Sequence, residues 1–159
     1  MTIRILHPET DLPAVAAFLQ EAADYWLLAD GAAPGPQAAQ DFFTDCPPNC
    51  DPAASHRLGL FVDGRLSGLA ELSFGFPQKG DAYLGLMILA PRCRGMGLGP
   101  QLLADVETRA RATGAPTLFL GVIEANPKGR AFWERHGFRP TGITRQDDRN
   151  LTHRLAKPL

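Results

Sequence analysis

The sequence predicts an α/β fold, a mixed central sheet of about seven strands flanked by about four helices. Three observations predict it. Asp63-Gly64 sits between two apolar runs and marks a tight antiparallel hairpin. Beyond Ala82 the strand patterns alternate with helical ones, the pattern of an α/β fold. A glycine-rich segment, Gly95 to Gly99, joins a strand to a helix at the change of pattern. The 159 residues suit one domain, residues 1–159, large enough to bury a core without covalent staples.

Ile3 to Leu6 reads as the first strand. Asp11 to Ala29 carries Leu12, Val15, Ala16, Leu19, Ala22, Ala23 and Trp26 at helical spacing, so one long helix is expected. Asp11 is its expected N-cap, Pro13 lies in its first turn and Gly31 stops it. Pro36 to Thr44 suggests a shorter helix, and the prolines from Pro47 to Pro52 a loop. Arg57 to Val62 and Leu66 to Phe76 are the hairpin strands. Ala82 to Leu89 is apolar without alternation from Leu84 onward, which predicts a strand covered on both faces. Leu98 to Thr113 is a helix stopped by Gly114, Thr117 to Ile123 a buried strand and Pro127 to His136 a helix. The tail from Phe138 to Leu155 holds two more strands.

Composition narrows the function. The chain is 45% apolar and 21% charged with a net charge of −1, which gives no general pull toward nucleic acid or a membrane surface. The longest apolar run, Leu84 to Ala90, is far below the ~20 residues of a membrane helix. Nothing at the N-terminus reads as a secretory leader, so the expected location is cytoplasmic. The cysteines Cys46, Cys50 and Cys93 are too few and odd in number for a disulfide framework. Cys46 and Cys50 with His56 lack a second ligand pair, so no metal is expected. Cys93 has no basic partner that would make it a nucleophile.

The chemistry concentrates in Leu89-Ala90-Pro91-Arg92-Cys93-Arg94-Gly95-Met96-Gly97-Leu98-Gly99. Glycines permit positive φ and close approach of a ligand, and free N–H groups leading into a helix N-terminus attract an anion. A phosphate or pyrophosphate is therefore expected, with Arg92 and Arg94 adding charge-assisted contacts. A nucleotide P-loop needs a Lys-Ser/Thr ending that is absent here. The dinucleotide fingerprint fails too: the third glycine comes one residue early, and Leu118-Phe119 stand where a ribose-binding acid belongs.

Arg94-x-x-Gly97-x-Gly99, preceded by Leu89-x-Pro91 and followed by Leu102-Leu103, resembles the acyl-CoA-binding motif of the GNAT superfamily of N-acetyltransferases. Leu120-x-Val122-x-x-x-Asn126, then Phe132-Trp133-x-x-x-Gly137-Phe138, resembles that superfamily's second region in the right order and spacing. The resemblance covers nearly the whole chain. It implies a GNAT-type acyl-CoA N-acyltransferase fold, acetyl-CoA as co-substrate, and direct transfer of the acetyl group to a primary amine in a ternary complex.

By the same resemblance the pyrophosphate sits on the amides of Arg94, Gly95, Met96, Gly97, Leu98 and Gly99, with Pro100, which lacks an N–H, in the first turn of the helix. Backbone groups of Met87 and Leu89 hold the pantetheine arm and the acetyl carbonyl. Asn126 bonds the same arm, and before Pro127 it is also a good helix N-cap. Phe132 and Trp133 pack along the cofactor. Trp133 stands where the family often has a tyrosine acid, and an indole donates a hydrogen bond without acting as an acid near neutral pH.

The proton of the amine has four candidate acceptors. Asp81 and Tyr83 share the strand parity of Met87 and Leu89; Glu71 and Glu124 lie on neighbouring strands. Arg145 to Arg149 reads as a solvated turn, His136 as a helix C-terminal side chain, and Tyr25, Trp26, Phe42, Phe43, Phe74 and Phe76 as core or as lining of an acceptor pocket. The expected partner is a small-molecule amine, and the expected assembly a monomer or homodimer. The alternatives are a protein or peptide acceptor, or an acyl-CoA-binding module without catalysis.

Overall fold

The computed structural model describes residues Met1–Leu159. Seven strands form one sheet: β1 (Thr2–Ile5), β2 (His56–Val62), β3 (Arg65–Phe74), β4 (Ala82–Leu89), β5 (Thr117–Ile123), β6 (Arg139–Gln146) and β7 (Leu151–Pro158). Their spatial order is β1-β2-β3-β4-β5-β7-β6. Every neighbouring pair is antiparallel except β4 and β5. Asp63 and Gly64 both take positive φ, 50° and 75°, the geometry a two-residue hairpin requires.

Five α-helices flank the sheet: α1 (Pro8–Glu21), α2 (Ala23–Asp30), α3 (Ala38–Thr44), α4 (Leu98–Ala112) and α5 (Pro127–Arg135). The expected long helix is broken in two at Ala22, whose φ of −94° and ψ of 22° leave the helical region. The apolar spacing continues across the break, so periodicity alone could not reveal it. The first of these helices also starts earlier than Asp11. His7 is the N-cap and Pro8 the first helical residue, which suits proline because its missing N–H would be unpaired there. Asp11 still serves the first turn. Its carboxylate accepts the His7 backbone N–H at 2.8 Å and the Arg4 guanidinium at 2.9 and 3.0 Å. These contacts hold its pKa down at about 2.

The sheet separates two cores. One face, with Leu58, Ala70, Leu72 and Leu84, packs against α4 and Phe138; the other, with Leu66, Leu69 and Ile88, packs against α1 and α3. β3 is the strand fully covered on both faces. In β4 the expectation fails at its middle, where Gly85 is exposed and Leu86 and Met87 are half-buried. The cause is a seam in the sheet. β4 and β5 pair only from Ala82↔Leu118 to Leu84↔Leu120, and beyond these residues the strands diverge. No helix is long and apolar enough to cross a membrane.

Candidate active site

The seam between β4 and β5 opens into a cleft of about 530 Å³ walled by α2, the glycine loop and α5. Among its lining residues are Met87, Leu89, Arg94, Gly99, Asn126 and Trp133. Ala90 donates its N–H to the Ser67 carbonyl at 2.8 Å. By strand alternation Ile88 and Leu86 also bond toward β3, so Met87 and Leu89 turn their backbone groups to the cleft. The Leu89 carbonyl accepts Arg94 Nε at 3.1 Å.

Gly97 is the N-cap of α4, in a left-handed conformation at φ 77° and with no side-chain acceptor for the free amides of the first turn. The amides of Gly95, Met96 and Gly97 bond no other part of the backbone. Leu98 is buried and anchors the loop, while Met96 is exposed at its tip. These free donors and the dipole of α4 favour negative charge at the mouth of the cleft. Gly99 has a different reason to be glycine. A Cβ there would press on the Phe132 ring at 3.3 Å, so this glycine brings α5 close to α4.

The two loop arginines are not free for a phosphate. Arg94 forms a bidentate pair with Asp24 of α2, tying the loop to the opposite wall. Arg92 bonds Glu21 at 2.7 Å, Ser67 at 3.0 Å and the Leu66 carbonyl at 2.9 Å. Both serve to position the loop. Asn126 caps α5 by accepting the Gly129 N–H at 3.0 Å, and it also lines the cleft. Trp133 packs edge-on against Phe132 and Phe138, with ring centroids 5.0 and 5.5 Å away.

A second cavity, also about 530 Å³, lies beside the first and is lined by Trp26, Asp30, Asp41, Asp45, Arg57 and Glu71, with Gly85 and Leu86 of β4. The middle of β4 therefore contributes to both cavities. Glu71 reaches this point because Gly85 forms a β-bulge opposite it: Glu71 pairs with Leu86, and Leu72 with Leu84. A Cβ at Gly85 would collide with Glu71 Oε2. The carboxylate accepts the Ser73 hydroxyl and stands 3.7 Å from Arg57 Nη1. Arg57 is itself fixed by donating to the carbonyls of Phe42 at 2.8 Å and Asp45 at 2.6 Å. Burial pushes the Glu71 pKa up, against the opposing effects of Ser73 and Arg57.

The same bulge corrects the parity argument. It shifts the alternation by one residue, so Tyr83 lies on the opposite face from Met87 and Leu89. Tyr83 instead packs edge-on against Phe76, with centroids 5.1 Å apart. Asp81 precedes the strand and closes the turn before it: its carboxylate accepts the Gln78 N–H at 3.2 Å, and its carbonyl accepts the Gly75 N–H at 2.8 Å. Glu124 lies just past β5, with an exposed side chain 3.6 Å from His153. Of the four candidate bases, Glu71 alone lines the cavity beside the seam. Sequence reasoning does not single out Arg57, Ser73 or Gly85 as site residues. A charge within each of two otherwise apolar neighbouring strands, Arg57 and Glu71, is the signal that could have found the first of them.

The sheet is split at its parallel seam, with a loop of free amides following β4, a buried carboxylate on neighbouring β3, and a cavity beside each. The chain belongs to the acetyltransferase (GNAT) family, whose model matches residues 16–138. Among curated proteins, the amino-acid acetyltransferase of Ralstonia nicotianae is 40% identical over 58 residues, 36% of this chain and 13% of that protein. The chain spans less than half the length of the curated relatives it matches. The crystal structure of an acetyltransferase from Thermus thermophilus superposes with a TM-score of 0.77 at 24% identity, covering 100% of this chain and 98% of that one. PaiA N-acetyltransferase from Thermoplasma acidophilum, solved in complex with coenzyme A, gives 0.70 at 19% identity, covering 99% and 98%. These two likenesses concern the fold.

Proposed function

We propose that the protein transfers the acetyl group of acetyl-CoA to the primary amine of a small molecule, with Glu71 as the general base. The observation that carries this reading is that the two cavities are lined by consecutive residues of β4, Gly85 and Leu86 in one and Met87 to Leu89 in the other. The cleft of the glycine loop fits acetyl-CoA, because its free amides suit a pyrophosphate and its Met87 and Leu89 backbone suits an amide-bearing arm. Bound acetyl-CoA supplies an activated thioester carbonyl.

The acidic wall of the second cavity, Asp30, Asp41 and Asp45, draws an ammonium ion toward Glu71. Alkylammonium groups have pKa values of about 10, so a proton must leave before the nitrogen lone pair can attack. Glu71 takes it, directly or through one water. The Met87 amide donates to the carbonyl oxygen as negative charge develops there. Trp133 packs along the pantetheine arm and supplies no proton. A thiol with a pKa near ~8.5 leaves as thiolate without a protein acid.

The test has two parts. Acetyl-CoA should raise the melting temperature by mass action while NAD does not. Gly97→Val, which forces a branched side chain on a left-handed residue, should abolish that rise in a folded protein. A panel of amines is then assayed for CoA release. Tight CoA binding without turnover on any amine would establish the non-catalytic module instead.

A further inference from the structure

A third cavity, of about 340 Å³, lies across β4 from Glu71, where β4, β5, β7 and β6 run side by side. Its polar lining is unlike that of the acidic cavity. Arg145 of β6 and Arg154 of β7 are both present, with Thr144, Thr152 and the phenol of Tyr83. Neither guanidinium pairs with a carboxylate; Arg154 stacks over the Phe76 ring at 5.0 Å. Gly121 keeps the floor open, since a Cβ there would meet Thr152 Cγ2 at 2.9 Å and the Tyr83 hydroxyl at 3.1 Å. Arg145, expected in a solvated turn, belongs to this wall; the turn itself is closed by Asp147, which accepts the N–H groups of Arg149 and Asn150.

Two arginines outside any ion pair, lining one hydroxyl-bearing hollow, suit an oxyanion, because guanidinium donors match carboxylate and phosphate oxygens bidentately. The hollow adjoins the proposed base. Tyr83 is two residues from Gly85 along β4 and pairs across the ladder with Ser73, the hydrogen-bond donor to Glu71. We propose that this cavity is the anion subsite of the acceptor, so that the amine acetylated by this protein carries a carboxylate or phosphate group held by Arg145 and Arg154. This rests on the transferase reading above. Burial raises the Tyr83 pKa, so its phenol stays a neutral donor toward the anion.

Matched probes test it: ethanolamine against O-phosphoethanolamine, and phenethylamine against L-phenylalanine. In the wild type the anionic member of at least one pair should have a KM about tenfold lower or better, the size of charge-assisted hydrogen bonds. The pair that shows the advantage tells phosphate from carboxylate. The double variant Arg145→Gln/Arg154→Gln, checked for fold by circular dichroism, should bring both members of that pair to the same KM. Turnover of the neutral amines with no anionic advantage, or an advantage that survives in the variant, overturns the subsite and leaves the transferase reading standing. If none of the four releases CoA, titration calorimetry on the CoA-saturated protein decides the subsite separately. Heat from either anionic probe that the variant loses supports it, and no binding of either overturns it.

Discussion

The Glu71 carboxylate occupies the space in which Gly85 has no side chain, and the bulge at Gly85 is what brings the two together across β3 and β4. A methyl group at position 85 would collide with Oε2 and force the carboxylate to rotate away. Gly85→Ala should therefore lower kcat/KM by about tenfold or more, and Glu71→Gln by about 10²–10³-fold, the range of a lost general base. CoA affinity, measured by calorimetry, should change in neither. Full activity in Gly85→Ala beside an inactive Glu71→Gln would show that the notch does not set the carboxylate's position.

The pH profile should report the same group. Burial holds the Glu71 pKa above the usual carboxylate range, while the Ser73 hydroxyl and Arg57 pull it down. Loss of the Ser73 hydroxyl removes one stabiliser of the charged form, so Ser73→Ala should move the acidic limb of kcat/KM to higher pH. A limb that stays in place, or moves to lower pH, would assign the titration to another group.

Trp133 should act through packing. Trp133→Phe keeps a ring against Phe132 and Phe138 and should retain most of the turnover. Trp133→Ala should weaken CoA binding by about 1–3 kcal/mol, as expected for lost aromatic burial. Trp133→Tyr should resemble the phenylalanine variant, because the departing thiolate needs no protein acid. Turnover against pH for the three variants decides it; a large loss in Phe that Tyr rescues would show that the polar edge of this residue takes part in the chemistry.

Asp11 should appear in stability and not in catalysis. Its folded pKa of about 2 lies below the ordinary value of 3.8. A depressed carboxylate stabilises the fold above its unfolded pKa, and the contribution is lost as pH falls through the folded one. Asp11→Asn should cost on the order of 1–2 kcal/mol at neutral pH, the size of a helix cap with a partly screened ion pair. The difference from wild type should narrow between about pH 4 and pH 2 as Asp11 takes up its proton. Urea unfolding at several pH values measures it; a gap that persists at pH 2 would locate the loss elsewhere.

The order of elements and the loop of free amides before α4 were legible in the chain, since both depend on local rules. Alternation, hairpin residues, proline at helix starts and glycine at helix ends each act within a few residues. So does Gly97, whose positive φ and free neighbouring amides follow from residues adjacent in the chain. The rest came from contacts that form only when the chain has folded. The ion pairs that occupy Arg92 and Arg94, and the placing of Glu71 at the cavity beside the seam while Asp81, Tyr83 and Glu124 lie elsewhere, depend on partners distant in sequence. The bulge at Gly85 shows why parity misled: one extra residue reverses the facing of every residue beyond it, so Tyr83 and Met87 part company despite even spacing. The hollow of Arg145 and Arg154 has the same origin, because those arginines become neighbours only where β6 and β7 pair beside a glycine of β5.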